Sequence, residues 1–115
     1  MERDQIEKMT REYQLLQEQL QALALQKEQF SEQKEEYKEA LEEIEKAKGK
    51  IYIALGGVIV DVDKETALKN VKEKHESSEM RLSIVSKQYE DLAKKEQTLR
   101  TEITTALKDF KQQPG

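Results

Sequence analysis

The side chains that carry chemistry are sparse here. His75 is the only histidine, and there is no cysteine. A metal centre needs several His, Cys or carboxylate donors converging on one point. A nucleophile needs a base beside it. One histidine supplies neither. Asp61-x-Asp63-x-Glu65 has the spacing that opens a calcium loop. Such a loop turns on a glycine at its sixth position and closes with a glutamate at its twelfth. Thr66 and Lys72 stand there, so the calcium reading is rejected. Gly56-Gly57 lacks the Gly-Lys-Ser/Thr that completes a phosphate loop, and a hairpin turn accounts for it better. The many glutamates read as solvated faces rather than acid–base pairs. No catalytic residue, cofactor or metal is expected, and the chain is not read as an enzyme.

The elements behind these residues are more informative. Of 115 residues, 38% are charged and 36% hydrophobic, with one proline and no tryptophan. That is too polar for a compact globule and suits long helices, each of which buries one narrow stripe. Disorder is the competing account of such polarity, but it predicts no periodicity. The net charge of -4 comes from residues 1–50, which hold nine Lys/Arg against thirteen Asp/Glu. An acidic chain is poorly suited to nucleic acid or to an anionic membrane, since both demand a basic surface. The charged start, Met1-Glu2-Arg3-Asp4, lacks the apolar core of a signal peptide. The longest apolar stretch, Ile51 to Val60, is too short to span a bilayer. A cytoplasmic location fits.

Apolar residues recur in steps of three and four. Ile6, Met9, Tyr13, Leu16, Leu20, Leu23, Lys27, Phe30, Lys34, Tyr37, Leu41 and Ile44 form one a/d heptad series, interrupted only by two lysines. Leu68, Val71, His75, Ser78, Leu82, Val85, Tyr89, Leu92, Glu96, Leu99, Ile103, Ala106 and Phe110 form a second. Each predicts a helix of roughly 45 residues, about 70 Å long. Helix one is expected over about 2–48, with Gly49 as its C′ residue and Lys46 and Lys48 near its end. Helix two is expected over about 64–111, with Asp63 as N-cap and Glu65 in its first turn. Residues 112–115 form a tail, and Pro114-Gly115 closes the chain. The whole is expected to form a single unit, 1–115.

Between the heptads, at about 50–62, lies a β-branched segment around Gly56-Gly57. Two glycines allow positive φ at both central positions of a tight turn. That register pairs Leu55 with Val58, Ile53 with Val60 and Ile51 with Val62, all on one face. Tyr52, Ala54, Ile59 and Asp61 take the other. A four-residue loop would flip the faces.

So short a connection makes the helices antiparallel neighbours. If Ile44 faces Leu68, stepping outward pairs Leu41 with Val71, Tyr37 with His75, Lys34 with Ser78, Phe30 with Leu82 and Lys27 with Val85. Leu23–Tyr89, Leu20–Leu92, Leu16–Glu96, Tyr13–Leu99, Met9–Ile103 and Ile6–Ala106 follow. The expected fold is all-α dominated: a long antiparallel two-helix coiled coil joined by one β-hairpin. A lone two-stranded hairpin is marginal in water, and unpaired edges invite pairing. The hairpin is therefore expected to pair with hairpins of other chains.

Ile51-Tyr52-Ile53-Ala54-Leu55-Gly56-Gly57-Val58-Ile59-Val60, set between two long helices and followed by Lys64-Glu65, resembles prefoldin. One hairpin rather than two resembles the β class. The Gly-Gly-Val form also looks like eukaryotic subunits of the β type. The resemblance implies an ATP-independent co-chaperone subunit in a hexamer of α-class and β-class chains. The hairpins would assemble into β-barrels through Ile51, Tyr52, Ile53, Leu55, Gly56, Gly57, Val58, Ile59, Val60 and Val62. The coiled-coil tips would hold non-native proteins and pass them to a group II chaperonin. One departure is the short Lys48-Gly49-Lys50 link, where the family often has a polar linker with Asp or Pro. This would shift the hairpin's angle.

The chain ends form the tip in this topology. Its expected client-contact residues are Ile6, Met9, Tyr13, Leu16, Leu99, Ile103, Leu107 and Phe110, the last two extending the stripe past the final layer. Glu96 is the outermost charged layer position. An unpartnered carboxylate resists burial, so Glu96 is expected to weaken the zipper and let the tip splay. A carboxylate reaching out to solvent from a dynamic coil is the plainer account. A coiled-coil tether without client binding is the alternative function, although a tether needs only a polar turn in place of the hairpin.

Overall fold

The computed structural model describes residues 2–112, and the expected closing Pro114-Gly115 lies outside the described residues. Four elements follow in order: α1 (Arg3–Lys46), β1 (Ile51–Leu55), β2 (Val58–Val62) and α2 (Lys64–Gln112). Glu, Lys and Leu are frequent in both helices and Gln is abundant in α1, and all are good helix formers. At the start of α1, Gln5 Oε1 accepts from the Glu2 N–H at 3.2 Å. No described helix is long and apolar enough to cross a membrane.

The heptads mark the sheltered stripes. From Ile6 to Ile44 and from Leu68 to Ala106, none of the a and d positions is exposed. On α1 the only other sheltered residues are Thr10 and Ala40. Shelter is partial, because one helix can cover only one side of its neighbour. Ile6, Ala67, Ser78, Val85 and Ala106 are buried, yet no large side chain is fully enclosed among the described residues.

The chain divides into two compact units. A terminal unit joins residues 1–26 with 85–115, and a hairpin unit comprises residues 27–84. Within the terminal unit, Leu23 shares a groove with Leu92, Leu16 with Leu99, and Met9 with Ala106. Rising numbers on α1 meet falling numbers on α2, which is the antiparallel arrangement. Within the hairpin unit, Leu41 shares a groove with Leu68 and His75. His75 Nδ1 lies 3.8 Å from Glu79 Oε2 on the same helix. Its Nε2 is buried without a hydrogen-bond partner.

The hairpin has the two-residue register. Ile51 pairs with Val62, Tyr52 with Asp61, Ile53 with Val60, Ala54 with Ile59 and Leu55 with Val58. Gly56 and Gly57 take φ of 49° and 87°, the only positive values among the described residues. Both turn positions therefore sit where a Cβ is strained.

Gly49 is not the helix terminator expected of it. Its φ is not positive, and α1 stops at Lys46. The Ala47 N–H is shared between the carbonyls of Glu43 and Ile44, at 3.1 and 3.2 Å. Other carbonyls of the last turn are taken by a lysine from across the hairpin: Lys64 Nζ donates to Glu45 O at 2.7 Å and to Ala47 O at 3.4 Å. With the carbonyls satisfied, no left-handed glycine is needed.

Asp63 does cap α2. Its Oδ1 accepts from the Thr66 N–H at 2.7 Å, and its carbonyl accepts from Ala67 N–H at 3.0 Å. The Thr66 N–H donating to it holds the carboxyl below its ordinary value of 3.8. A carboxyl depressed by folding adds stability that is full above its unfolded pKa and lost as pH falls through the folded value. Asn caps nearly as well as Asp but does not titrate. The stability difference between wild type and Asp63→Asn should therefore shrink as acid is added, in denaturant melts followed by circular dichroism. A difference that stays constant from neutral to acid pH would refute the charge contribution.

Candidate functional site

Two surfaces stand out on a chain that is otherwise polar. The first is the hairpin. Its Ile51–Ile53–Val62 part is half-buried near the helix ends. Further out on the same face, Leu55 and Val58 are 58% and 60% exposed, and Val60 is also exposed. The opposite face carries Tyr52, 59% exposed, and Ile59, 72% exposed. Only the Lys50–Asp61 ion pair, 3.6 Å apart and largely solvated, adds charge there, and such a pair contributes little. Alternation along a strand normally puts polar side chains on the solvent face. This hairpin exposes large apolar side chains on both faces.

The second surface lies in the terminal unit. Ile6 and Ala106 are buried, while Met9, Tyr13, Leu16, Leu99 and Ile103 are half-buried. Leu107 and Phe110 are each 42% exposed on α2. Of the expected tip residues, Ile6, Met9, Tyr13, Leu16, Leu99 and Ile103 line the helix pair, whereas Leu107 and the last heptad position, Phe110, face water. Leu15 and Leu25 on α1, and Met80 and Ile84 on α2, are also exposed. They lie off the a/d stripe and were not picked out by the heptad reading.

The terminal unit also holds a polar cluster. Gln17 Nε2 donates to the Tyr13 hydroxyl at 3.2 Å. That hydroxyl donates to the Glu96 carboxylate, which holds the phenol above its ordinary value of 10.0, with Arg100 acting weakly in the opposite direction. Glu96 is half-buried. It is therefore not the unpartnered carboxylate expected from the heptad. The partner was hidden because a tyrosine reaches beyond its own layer, past Leu99, to the next. Among the described residues no group of three or more His, Asp or Glu is placed to hold a metal ion.

Comparison with known proteins gives this architecture a family. The family model described as "Prefoldin subunit" matches residues 7–110, nearly the whole chain. The chain belongs to the prefoldin family. A solved prefoldin, the beta subunit from Thermococcus strain KS-1, superposes with a TM-score of 0.82 at 32% identity. The match covers 96% of this chain and 95% of that one. A curated relative, "Prefoldin subunit beta" of Thermococcus onnurineus (strain NA1), is 41% identical over 58 residues. That match spans about half of this chain and half of the relative's length. The single hairpin between two long helices is the architecture shared with the prefoldin beta structure. Prefoldin subunits are non-enzymatic chaperone components.

In this prefoldin chain, Glu96→Leu would do two things at once. It would extend the apolar stripe and strand the Tyr13 hydroxyl. Glu96→Gln separates these effects, because the amide can still accept a hydrogen bond but carries no charge. The Tyr13 phenolate should form at lower pH in Glu96→Gln than in wild type, with Tyr13→Phe as the blank in a phenolate absorbance titration. A raised tyrosine adds stability that is present below its unfolded pKa and lost as pH rises through the folded one. Alkaline melting of the terminal unit should therefore be less steep in the variant. Superimposable titrations would show that Glu96 does not hold the hydroxyl.

Proposed function

We propose that this chain is a subunit of an ATP-independent holdase. It assembles through its hairpin with α-class and other β-class prefoldin chains into a hexamer, and acts in the cytoplasm. Its helix tips capture non-native proteins and pass them to a group II chaperonin. The observation that carries this reading is the hairpin, apolar and exposed on both faces. A coiled-coil tether needs only a polar turn between its helices. A hairpin that presents Tyr52, Leu55, Val58 and Ile59 to water gains by burying them against similar hairpins, at roughly 25 cal/mol per Å² of apolar surface.

In the terminal unit, Leu107 and Phe110 offer a small apolar contact on a charged body. A single tip of this size binds weakly. Several tips on one assembly raise the effective concentration and give avidity without a tight individual contact. The charged faces keep the assembly dissolved while its tips stay adhesive.

The test joins native mass with light scattering. Mixed with an α-class prefoldin subunit, the chain should form a hexamer that suppresses aggregation of a chemically denatured client without nucleotide. A stable hexamer that leaves aggregation unchanged would favour the tether. A chain that stays monomeric with the α-class subunit would remove the assembly reading.

A further inference from the structure

Lys64 stands at a position where its charge is unfavourable for its own helix. It is the first residue of α2, directly after the Asp63 cap. A helix N-terminus carries partial positive charge and favours Asp or Glu over Lys. The side chain turns away from α2 and reaches the end of α1, where partial negative charge favours a cation. There it meets Glu45 O at 2.7 Å and Ala47 O at 3.4 Å. The last carbonyls of a helix lack partners within it. Among the described residues α1 ends without a left-handed glycine that would satisfy them otherwise.

The two ends of this bridge bracket the whole hairpin. Residues 48–50 lead out of α1, β1 and β2 run to Val62, and Asp63 anchors the start of α2. The Ile51–Val62 pair closes the foot of the ladder. Lys64 closes the gap one step below, on the helix ends. The short link Lys48-Gly49-Lys50 is exposed throughout, with open space around Gly49, and its solvated Lys50–Asp61 ion pair holds its direction only weakly. The Lys64 bridge supplies that direction.

We propose that Lys64 is the clasp that sets the angle at which the hairpin leaves the helices, and so a positioning residue for assembly. This rests on the reading of the hairpin as the assembly surface. Association carries a cost for every segment it must order. A hairpin already held at its foot meets its partners with that ordering complete. Removing the lysine charge, by substitution or by acylation of Nζ, frees the foot and weakens association while both helices remain folded.

The test compares Lys64→Met with Lys64→Arg. In Lys64→Met the Glu45 and Ala47 carbonyl resonances should shift, and amide exchange in Ile51–Leu55 should quicken. Helicity should be unchanged, because an unfavourable charge has left the start of α2. Association with an α-class prefoldin subunit should weaken by about tenfold, the scale of a hydrogen bond to a charged group. Lys64→Arg, still a cation with several donors, should recover most of it. Carbonyl signals that do not move in Lys64→Met overturn the clasp. Signals that move with no loss of association overturn its role in assembly, as does an arginine variant as defective as the methionine one. Failure of the wild-type chain to associate would instead overturn the assembly reading, leaving the carbonyl signals to judge the clasp.

Discussion

Replacing Leu55 and Val58 together with aspartate should leave both helices folded and abolish the proposed association with other prefoldin chains. The two residues are directly paired beside the turn, and both are largely exposed. In the free chain the change costs little, since like charges opposite each other on a strand pair lose only about 0.2–1 kcal/mol. In an assembly the same carboxylates would be taken out of water without partners. Each unpaired buried charge costs several kcal/mol. Association should therefore fall by more than about a thousandfold, since each 1.4 kcal/mol is tenfold. Sedimentation or native mass spectrometry reads the outcome, with circular dichroism as the check on folding. A companion change, Ile59→Asp, carries the charge to the opposite face. If one face lines the barrel and the other meets water, the two variants will separate. A double variant that assembles like wild type would end the proposal that the hairpin is the assembly surface.

Changing Leu107 and Phe110 to serine should lower the proposed protection of a denatured client without loosening the helices. Each side chain is exposed on α2, so surface substitution should alter stability by no more than about 0.5 kcal/mol. At roughly 25 cal/mol per Å², losing two partly exposed apolar side chains removes about 1–2 kcal/mol of contact per tip. Multivalent binding compounds that loss across the tips. The chain concentration needed for half-suppression of aggregation should rise by about tenfold or more. Leu15→Ser is the control, because Leu15 is exposed to a similar degree but points off the helix-pair stripe. It should behave as wild type. Equal loss in the control would mean that any exposed apolar residue serves and that the tip is not special. No loss in the Leu107 and Phe110 variant would place client contact elsewhere.

The helix pair was legible because its signal is local. Residues spaced by three and four along a helix share one face, so the stripes from Ile6 to Ile44 and from Leu68 to Ala106 could be read without coordinates. The turn was legible for the same reason. Gly56-Gly57 solves a backbone problem within two residues, and with the turn length known the register follows.

The misreadings have a common cause. Gly49 had the right residue type for a helix terminator, but a lysine beyond the hairpin already occupies the carbonyls. Glu96 sat alone in its layer, but Tyr13 on the other helix extends to it. Both partners are long side chains, and their reach exceeds the spacing of the layers on which the heptad reading rests.

The sequence by itself therefore determined the two stripes, the tight turn, the Asp63 cap and the apolar character of the hairpin, because each depends on neighbours within a few residues. The tertiary structure alone decided that Lys64 closes the foot of the hairpin, that Tyr13 answers Glu96, and that both hairpin faces remain open to water. Those depend on distances between segments far apart in the chain, which no local spacing encodes.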